Sequence, residues 1–361
     1  MSAPSTATTA ASLANKLFDV IVIGGSYAGI AAATQLARAR RQVLVVDGGL
    51  RRNRFAEHSH GFLTQDGSKA GDIAATGRAQ LFAYKNVSWL DDPAMAAAST
   101  ADAVGADASS AAVAASTRFA VTLASGAVVT AKKIILATGV RDAVPAVPGL
   151  WASWGKHVFA CPYCHAYELN EAPIGVLAVH AGSVHQALML PDWGPTTLFT
   201  SLKLTAGAST GGVADSDGTE GEAATAAGGG AASEATETMT LTLDSEQLRM
   251  LAARGVTVDS TPVVRVTGSH LELADGRTSA MGGLFIAPTV TLQSDLAVQL
   301  GCEIVEGMQG PMVKTEMGAT SVPGVFACGD LARQPHNVTL AVADAVLAGV
   351  TVHRSLIFAG I

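Results

Sequence analysis

The chain has 361 residues, 49% of them hydrophobic and 15% charged, with a formal net charge of -7. That length buries one large core or two medium ones, so two domains are expected, and the acidic balance, with no Lys/Arg cluster longer than Arg51-Arg52 with Arg54, argues against a nucleic-acid surface. No apolar run approaches the roughly eighteen residues of a membrane span, and the N-terminal Ser/Thr/Ala segment lacks the apolar core of a signal peptide, which points to a soluble, cytoplasmic protein.

Residues 1–16 are small, polar and aperiodic and read as a disordered tail. The β-rich run 18–23 predicts a first strand, followed by Gly24-Gly25-Ser26-Tyr27-Ala28-Gly29 and a helix to about residue 40. A second strand over 42–46 ends in Asp47, which completes a βαβ unit with a glycine-rich first turn. Gly24, Ser26 and Gly29 occupy the three glycine positions of a dinucleotide fingerprint, and amides at the helix start would face a pyrophosphate. Asp47 stands where a carboxylate accepts hydrogen bonds from a ribose. A tight strand-to-helix turn with no ligand remains the alternative for such a loop taken alone.

Downstream, Arg54, His58, His60 and Gln65 form a polar cluster, with His60 a candidate for substrate or cofactor contact and a solvated loop the competing reading. Segments 92–117 and 206–239 hold too few large apolar side chains to offset the entropy of ordering and are expected as surface insertions. Strands are predicted at 120–123, 133–137, 174–179, 196–200, 256–258, 263–266, 270–273, 283–287 and 325–328, before an apolar helix over about 338–356. Interleaved strands and helices of this kind indicate α/β architecture with mainly parallel sheets.

Between the two halves lies Cys161-Pro162-Tyr163-Cys164-His165. Two cysteines separated by two residues at the start of a helix can close a small disulfide, and the helix dipole favours their thiolates. The competing reading is half of a zinc site, but only Cys302 and Cys328 remain as further thiols, both distant in sequence, so no metal is expected. Four cysteines, two of them in one tight motif, fit a reducing compartment. Cys302 and Cys328 read as small buried apolar residues.

The strings Ile134-Ile135-Leu136-Ala137-Thr138-Gly139 and Gly324-Val325-Phe326-Ala327-Cys328-Gly329-Asp330, with the first glycine loop and the cysteine pair, resemble in order and spacing the signatures of the thioredoxin reductase family. The resemblance implies two Rossmann-like three-layer domains, the second inserted into the first: 17–149 with 284–361 binding FAD, and 150–283 carrying the cysteines. It further implies a redox disulfide near the isoalloxazine, a homodimer, and flavin contacts at Thr138, Gly139 and Gly329, at Asp330 through the ribityl chain, and at Asn337, Val338 and Thr339, although the family's Arg-Gln-Ala is missing there. In the second domain the three expected glycines fall on Ala178, Val179 and His180, and only Lys203 follows the next strand, so NADPH is expected to bind poorly or not at all.

The string 161–168 also resembles the fungal and bacterial dithiol oxidases that close disulfides in natural products such as gliotoxin and holomycin, apart from Ala166 where glycine is expected. That resemblance implies an oxidised Cys161-Cys164 pair attacked at the more exposed Cys161 by a substrate thiolate, Cys164 as the flavin-proximal cysteine, and dioxygen as final acceptor. His165 is the nearest candidate base, and Glu168, a turn beyond Cys164, would orient it or cap charge. The substrate would be a small-molecule or peptide dithiol. Two alternatives stay open: a disulfide reductase serving a thioredoxin-like protein with NADPH, ferredoxin or another flavoprotein as donor, and a flavin-bound module that senses redox state or binds a partner.

Overall fold

Alternation decides the first element of the computed structural model: along β1 (Leu17–Ile23), Val20 and Val22 pack on one face of the sheet and Ile21 and Ile23 on the other, all of them buried. The structure describes Leu13, 16–100, 118–205 and 237–358. β1 leads through the glycine turn into α1 (Tyr27–Arg38) and then β2 (Val43–Val46), whose four residues are all buried, as expected of a parallel strand covered on both faces. α2 (Ala70–Leu81), β3 (Val87–Leu90), β4 (Ala94–Thr100), β5 (Arg118–Leu123) and β6 (Val128–Leu136) follow. Next come β7 (Val158–Phe159), the single-turn α3 (Pro162–His165), β8 (Ile174–Leu177), α4 (Gly182–Met189), β9 (Thr196–Phe199), β10 (Ser201–Lys203), β11 (Thr238–Thr240) and α5 (Ser245–Ala253). β12 (Thr257–Asp259), β13 (Val263–Thr267), β14 (His270–Leu273), β15 (Thr278–Ala280), β16 (Gly283–Ile286), β17 (Val325–Ala327) and α6 (Val338–Phe358) complete the chain.

Contacts divide the molecule into two units, Met1–Arg52 with Gly71–Arg141 and Val290–Ile361, and Asn53–Ala70 with Asp142–Thr289. The first unit's sheet runs β3-β2-β1-β6-β5-β4. β6 pairs with β1 along one edge and divides its other edge between β5 at its start and β17 at its end. Helices α1 and α6 cover one face through Ala32, Leu36, Ala345, Ala348 and Val352. In the second unit, a parallel sheet β7-β16-β8-β9-β12 accompanies a mixed sheet β11-β10-β13-β14-β15. The α/β class and the two Rossmann-like domains follow from these sheets.

Several sequence boundaries move. Residues 53–70, expected in the first domain, pack with the second unit, and the chain returns to the first at Val290 rather than 284. Leu13, expected in a disordered tail, is 6% exposed and packs in the first unit's core. The expected insertion 92–117 begins with a true strand: β4 pairs with β5 over Ala94–Thr100, and the buried Ala97 amide donates to Gln299 Oε1. Small side chains suffice there because backbone pairing, not side-chain bulk, holds an edge strand. The end of the second expected insertion likewise enters a strand, β11 (238–240), paired with β10. The remainder of both insertions, 101–117 and 206–236, lies outside the described residues.

α2 and β3 carried too little periodicity to be read from sequence. The expectation that no segment reaches span length is also corrected, since α6 is 21 residues long with a hydropathy of 1.5 over its most apolar window. Its Ala341, Ala345, Ala348, Gly349 and Val352 are buried on one side. Gly349 lets that face approach α1, where an added Cβ would lie 2.9 Å from Gln35 Cβ.

Candidate active site

The first unit builds a cradle at the carboxyl ends of β1, β6 and β17, the place where open α/β sheets bind ligands. Gly24 has φ of +105°, and an added Cβ would lie 2.4 Å from the Ala137 carbonyl oxygen. At Gly29 a Cβ would come within 1.7 Å of the Gly24 oxygen. Gly25, which the fingerprint reading passed over, is equally constrained, since a Cβ would meet the Trp89 ring at 2.4 Å. The Gly25 amide donates to Asp47 Oδ1 at 2.9 Å, so the carboxylate at the end of β2 is fixed against the loop. Ser26 is the N-cap of α1 in extended backbone and its side chain caps no amide. With no acidic residue in the first turn, the helix start presents amides and a positive dipole end. These features suit the pyrophosphate and ribose of FAD.

Thr138 and Gly139 follow Ala137 at the end of β6, beside the Gly24 turn that packs on Ala137. Gly329, with φ of +72°, follows β17, and a Cβ there would come 2.9 Å from Ala28 Cβ in the first turn of α1. The three sequence strings therefore converge. Asp330, expected at the ribityl chain, holds Arg52 at 3.0 Å, a partner the sequence did not suggest. Asn337 turns out to cap α6: its Oδ1 accepts from the Thr339 amide at 2.8 Å and the Leu340 amide at 3.4 Å, while Val338 and Thr339 form the helix's first turn. The Asn-x-Thr-Leu pattern before an apolar run is a helix-start signal. Cys328 is fully buried, its thiol pushed up to about 12 by burial and then by the charge of Asp344, which removes it from redox chemistry near neutrality. Burial also raises the Cys302 thiol, which donates to Thr320 Oγ1 at 3.6 Å.

The second unit carries the cysteines. Cys161 and Cys164 form a disulfide with Cα atoms 5.3 Å apart. Cys161 is the extended N-cap of α3, Pro162 opens the turn, and the Cys164 amide donates to the Cys161 carbonyl at 3.2 Å. α3 ends after four residues, and Asn170 and Glu171, at φ of +51° and +61°, close the following 3₁₀ turn. A single turn has little of the dipole that the sequence reading invoked to favour the thiolates. Both cysteines are half-buried.

His165 stacks on Phe159 with ring centroids 4.4 Å apart. Burial, and secondarily the neighbouring His60, push its pKa down to about 4, so the imidazole is neutral near pH 7. His60 reaches this unit from the short hairpin His58–Ser59/Ser68–Lys69, with Nδ1 3.3 Å from Glu168 Oε1 and 3.7 Å from Asp66 Oδ1. Glu168 thus faces His60 instead of orienting His165. Of the remaining sequence cluster, His58 is exposed and Arg54 stacks on Phe55 at 4.2 Å.

The turn between β8 and α4, where a pyridine nucleotide's pyrophosphate would sit, is satisfied from within. Ser183 Oγ accepts from the Val179 amide at 3.1 Å, and His180 Nδ1 accepts from the Gly182 amide at 2.9 Å. After β9, Thr200 and Ser201 are buried, and Ser201 Oγ lies 3.0 Å from Thr240 Oγ1 instead of leading into a cationic pair. These residues do not fit NADPH. Gln186 in α4, absent from the sequence reading, is buried and donates to the Ala160 carbonyl at 2.7 Å, immediately before Cys161. No sequence signal marks it, because its role comes from β7 lying beside α4 in space.

Comparison with known proteins agrees with this geometry. The family model of the pyridine nucleotide-disulphide oxidoreductases matches residues 18–184 and 230–345. A thioredoxin reductase, aclD, of Aspergillus oryzae is 30% identical over 96% of this chain and 98% of its own. A probable thioredoxin reductase of Arthroderma benhamiae is 36% identical over 44% of this chain, and the match spans 37% of that relative's length. Among solved structures, an oxidoreductase from Agrobacterium tumefaciens is 40% identical with a TM-score of 0.76, covering 95% of this chain and 99% of that one. The structure of HlmI is 29% identical with a TM-score of 0.77, covering 96% and 94%. With the glycine cradle, the Cys161-Cys164 disulfide and these matches together, the chain belongs to the pyridine nucleotide-disulphide oxidoreductase family, as a thioredoxin reductase-like oxidoreductase acting on a sulfur group.

Proposed function

We propose that the chain is an FAD-dependent dithiol oxidase, converting the two thiols of a small molecule or peptide to a disulfide with dioxygen as acceptor. The observation that carries this reading is the filled β8–α4 turn: His180 Nδ1 and Ser183 Oγ occupy the amides a nicotinamide cofactor would need, while the FAD cradle and the cysteine pair are intact. Gly24, Gly25, Ser26 and Gly29 would hold the pyrophosphate and Asp47 the ribose, with Thr138, Gly139, Gly329 and Asp330 lining the remainder. FAD, when bound, supplies a two-electron acceptor that dioxygen reoxidises with release of hydrogen peroxide.

The chain's own residues perform the exchange. A substrate thiolate attacks Cys161 Sγ, the Cys161–Cys164 bond breaks, and Cys164 leaves as a thiolate. The substrate's second thiol gives its proton to neutral His165 and displaces Cys161 from the mixed disulfide. Two protons and two electrons leave the substrate: one proton goes to solvent as the attacking thiolate forms and one goes to His165, and two protons return by the same routes to the Cys164 and Cys161 thiolates, which end as a dithiol. His165 is the base nearest the pair; burial keeps it unprotonated near neutral pH and also makes it a weak base, so it relays the proton onward instead of holding it. We further propose that the protein is a cytoplasmic homodimer without nucleic-acid or membrane partners.

The names of the relatives favour a second reading, a disulfide reductase for a thioredoxin-like protein fed by ferredoxin or another flavoprotein. Peroxide release with a small dithiol in air separates the two. The oxidase predicts steady release that disappears in Cys161→Ser and in Cys164→Ser; flavin-loaded protein that releases none is not this oxidase. Anaerobic mixing with NADPH should leave the flavin band unbleached.

A further inference from the structure

Gln186 is 6% exposed, and its carboxamide meets backbone alone: Nε2 donates to Ala160 O at 2.7 Å and to Ile286 O at 3.4 Å. Those carbonyls lie one residue beyond Phe159 and Phe285, the last pair of the two-residue β7–β16 ladder. The side chain therefore bridges the two strand ends where direct pairing stops and the chain turns off toward Cys161. Both partners are carbonyls, so the NH₂ group is forced toward them and Oε1 away from them. That oxygen is buried and unpartnered. An unmet buried acceptor offsets much of what one good and one long hydrogen bond contribute, so the residue adds little net stability. Its effect falls instead on where the backbone entering Cys161 is held.

We propose that Gln186 is a positioning residue for the Cys161-Cys164 pair, fixing the Ala160 carbonyl so that Cys161 stays in register to re-close with Cys164 after each turnover. The proposal rests on the pair being redox-active. When the bond opens, the Cys164 amide to Cys161 carbonyl hydrogen bond restrains the turn from within, and Gln186 restrains it from the strand side. Two thiols held together by their backbone have a higher effective concentration toward each other, which favours the disulfide. Without the clamp the balance moves toward the dithiol.

The test equilibrates the purified full-length protein and its Gln186→Met and Gln186→Leu variants against glutathione buffers without oxygen. Dithiol fractions are read by alkylation and mass, melting temperatures in parallel, and kcat and KM with a small dithiol. Either variant should melt near the parent, and its midpoint in [GSH]²/[GSSG] should fall by about three- to tenfold, with kcat lowered and KM held. A folded variant whose midpoint and kcat coincide with the parent's overturns the proposal. So does failure of both variants to fold, which would make Gln186 a residue of stability. A parent whose pair does not titrate removes the redox reading itself, a distinct result from a parent that titrates beside unchanged variants.

Discussion

The turns after β1 and β8 begin as the same device, a parallel strand feeding a helix, and end in opposite states. After β1, Gly24, Gly25 and Gly29 leave no room for side chains, and Ser26 caps no amide. After β8, His180 and Ser183 bond the turn's own amides. A helix start must satisfy its free N–H groups somehow. No Ser26 side chain caps the first helix, whereas the second turn bonds its own amides, so the second unit retains the architecture of a nucleotide domain while carrying the disulfide turn. Gln186, one turn into α4, shows the same shift, since it bonds the backbone that leads to Cys161.

Substitutions can break this comparison, beginning with the two helix glycines. Gly29→Ala drives a Cβ into the Gly24 carbonyl, where backbone cannot swing aside, and should cost about 3 kcal/mol or more with loss of bound flavin. Gly182→Ala meets only the His180 ring, at 2.6 Å, which can swing aside at the loss of its bond to the Gly182 amide, and should cost about 1 kcal/mol. Urea unfolding followed by flavin absorbance tests both, and equal effects would erase the distinction between the turns.

Next is the pH dependence of His165. Its folded pKa, about 4, lies below the ordinary 6.5, so the unfolded chain binds the proton more readily. Its stability contribution is therefore complete above about pH 6.5 and is lost as pH falls toward 4, an effect on the order of 3 kcal/mol. Denaturant titrations of parent and His165→Asn between those limits should diverge in slope, and parallel curves would mean that the histidine is not desolvated. If His165 is the base, the acid limb of kcat/KM sits near pH 4. A smaller effect is expected for His180→Ala, which removes the acceptor of the Gly182 amide at a cost of about 1 kcal/mol. NADPH should still fail to bleach the flavin, because Ser183 continues to hold the Val179 amide. A variant that gains NADPH reduction would show that His180 alone shut the site.

The sequence by itself determined the local devices. Apolar alternation marked β1, the Gly24–Gly29 spacing marked a nucleotide turn, Ala178, Val179 and His180 in place of glycines marked a second turn as different, and Cys161-x-x-Cys164 marked a disulfide. Each is set by residues a few positions apart, where the rules of turn and strand geometry operate. Tertiary structure alone decided the rest. It brought His60 from a distant hairpin to Glu168, bound Arg52 to Asp330 and placed Gln186 behind Cys161. It also ordered β4 despite its alanines, by backbone pairing with β5. Contacts between residues far apart in the chain depend on how sheets and helices stack, and no spacing within the sequence encodes that distance.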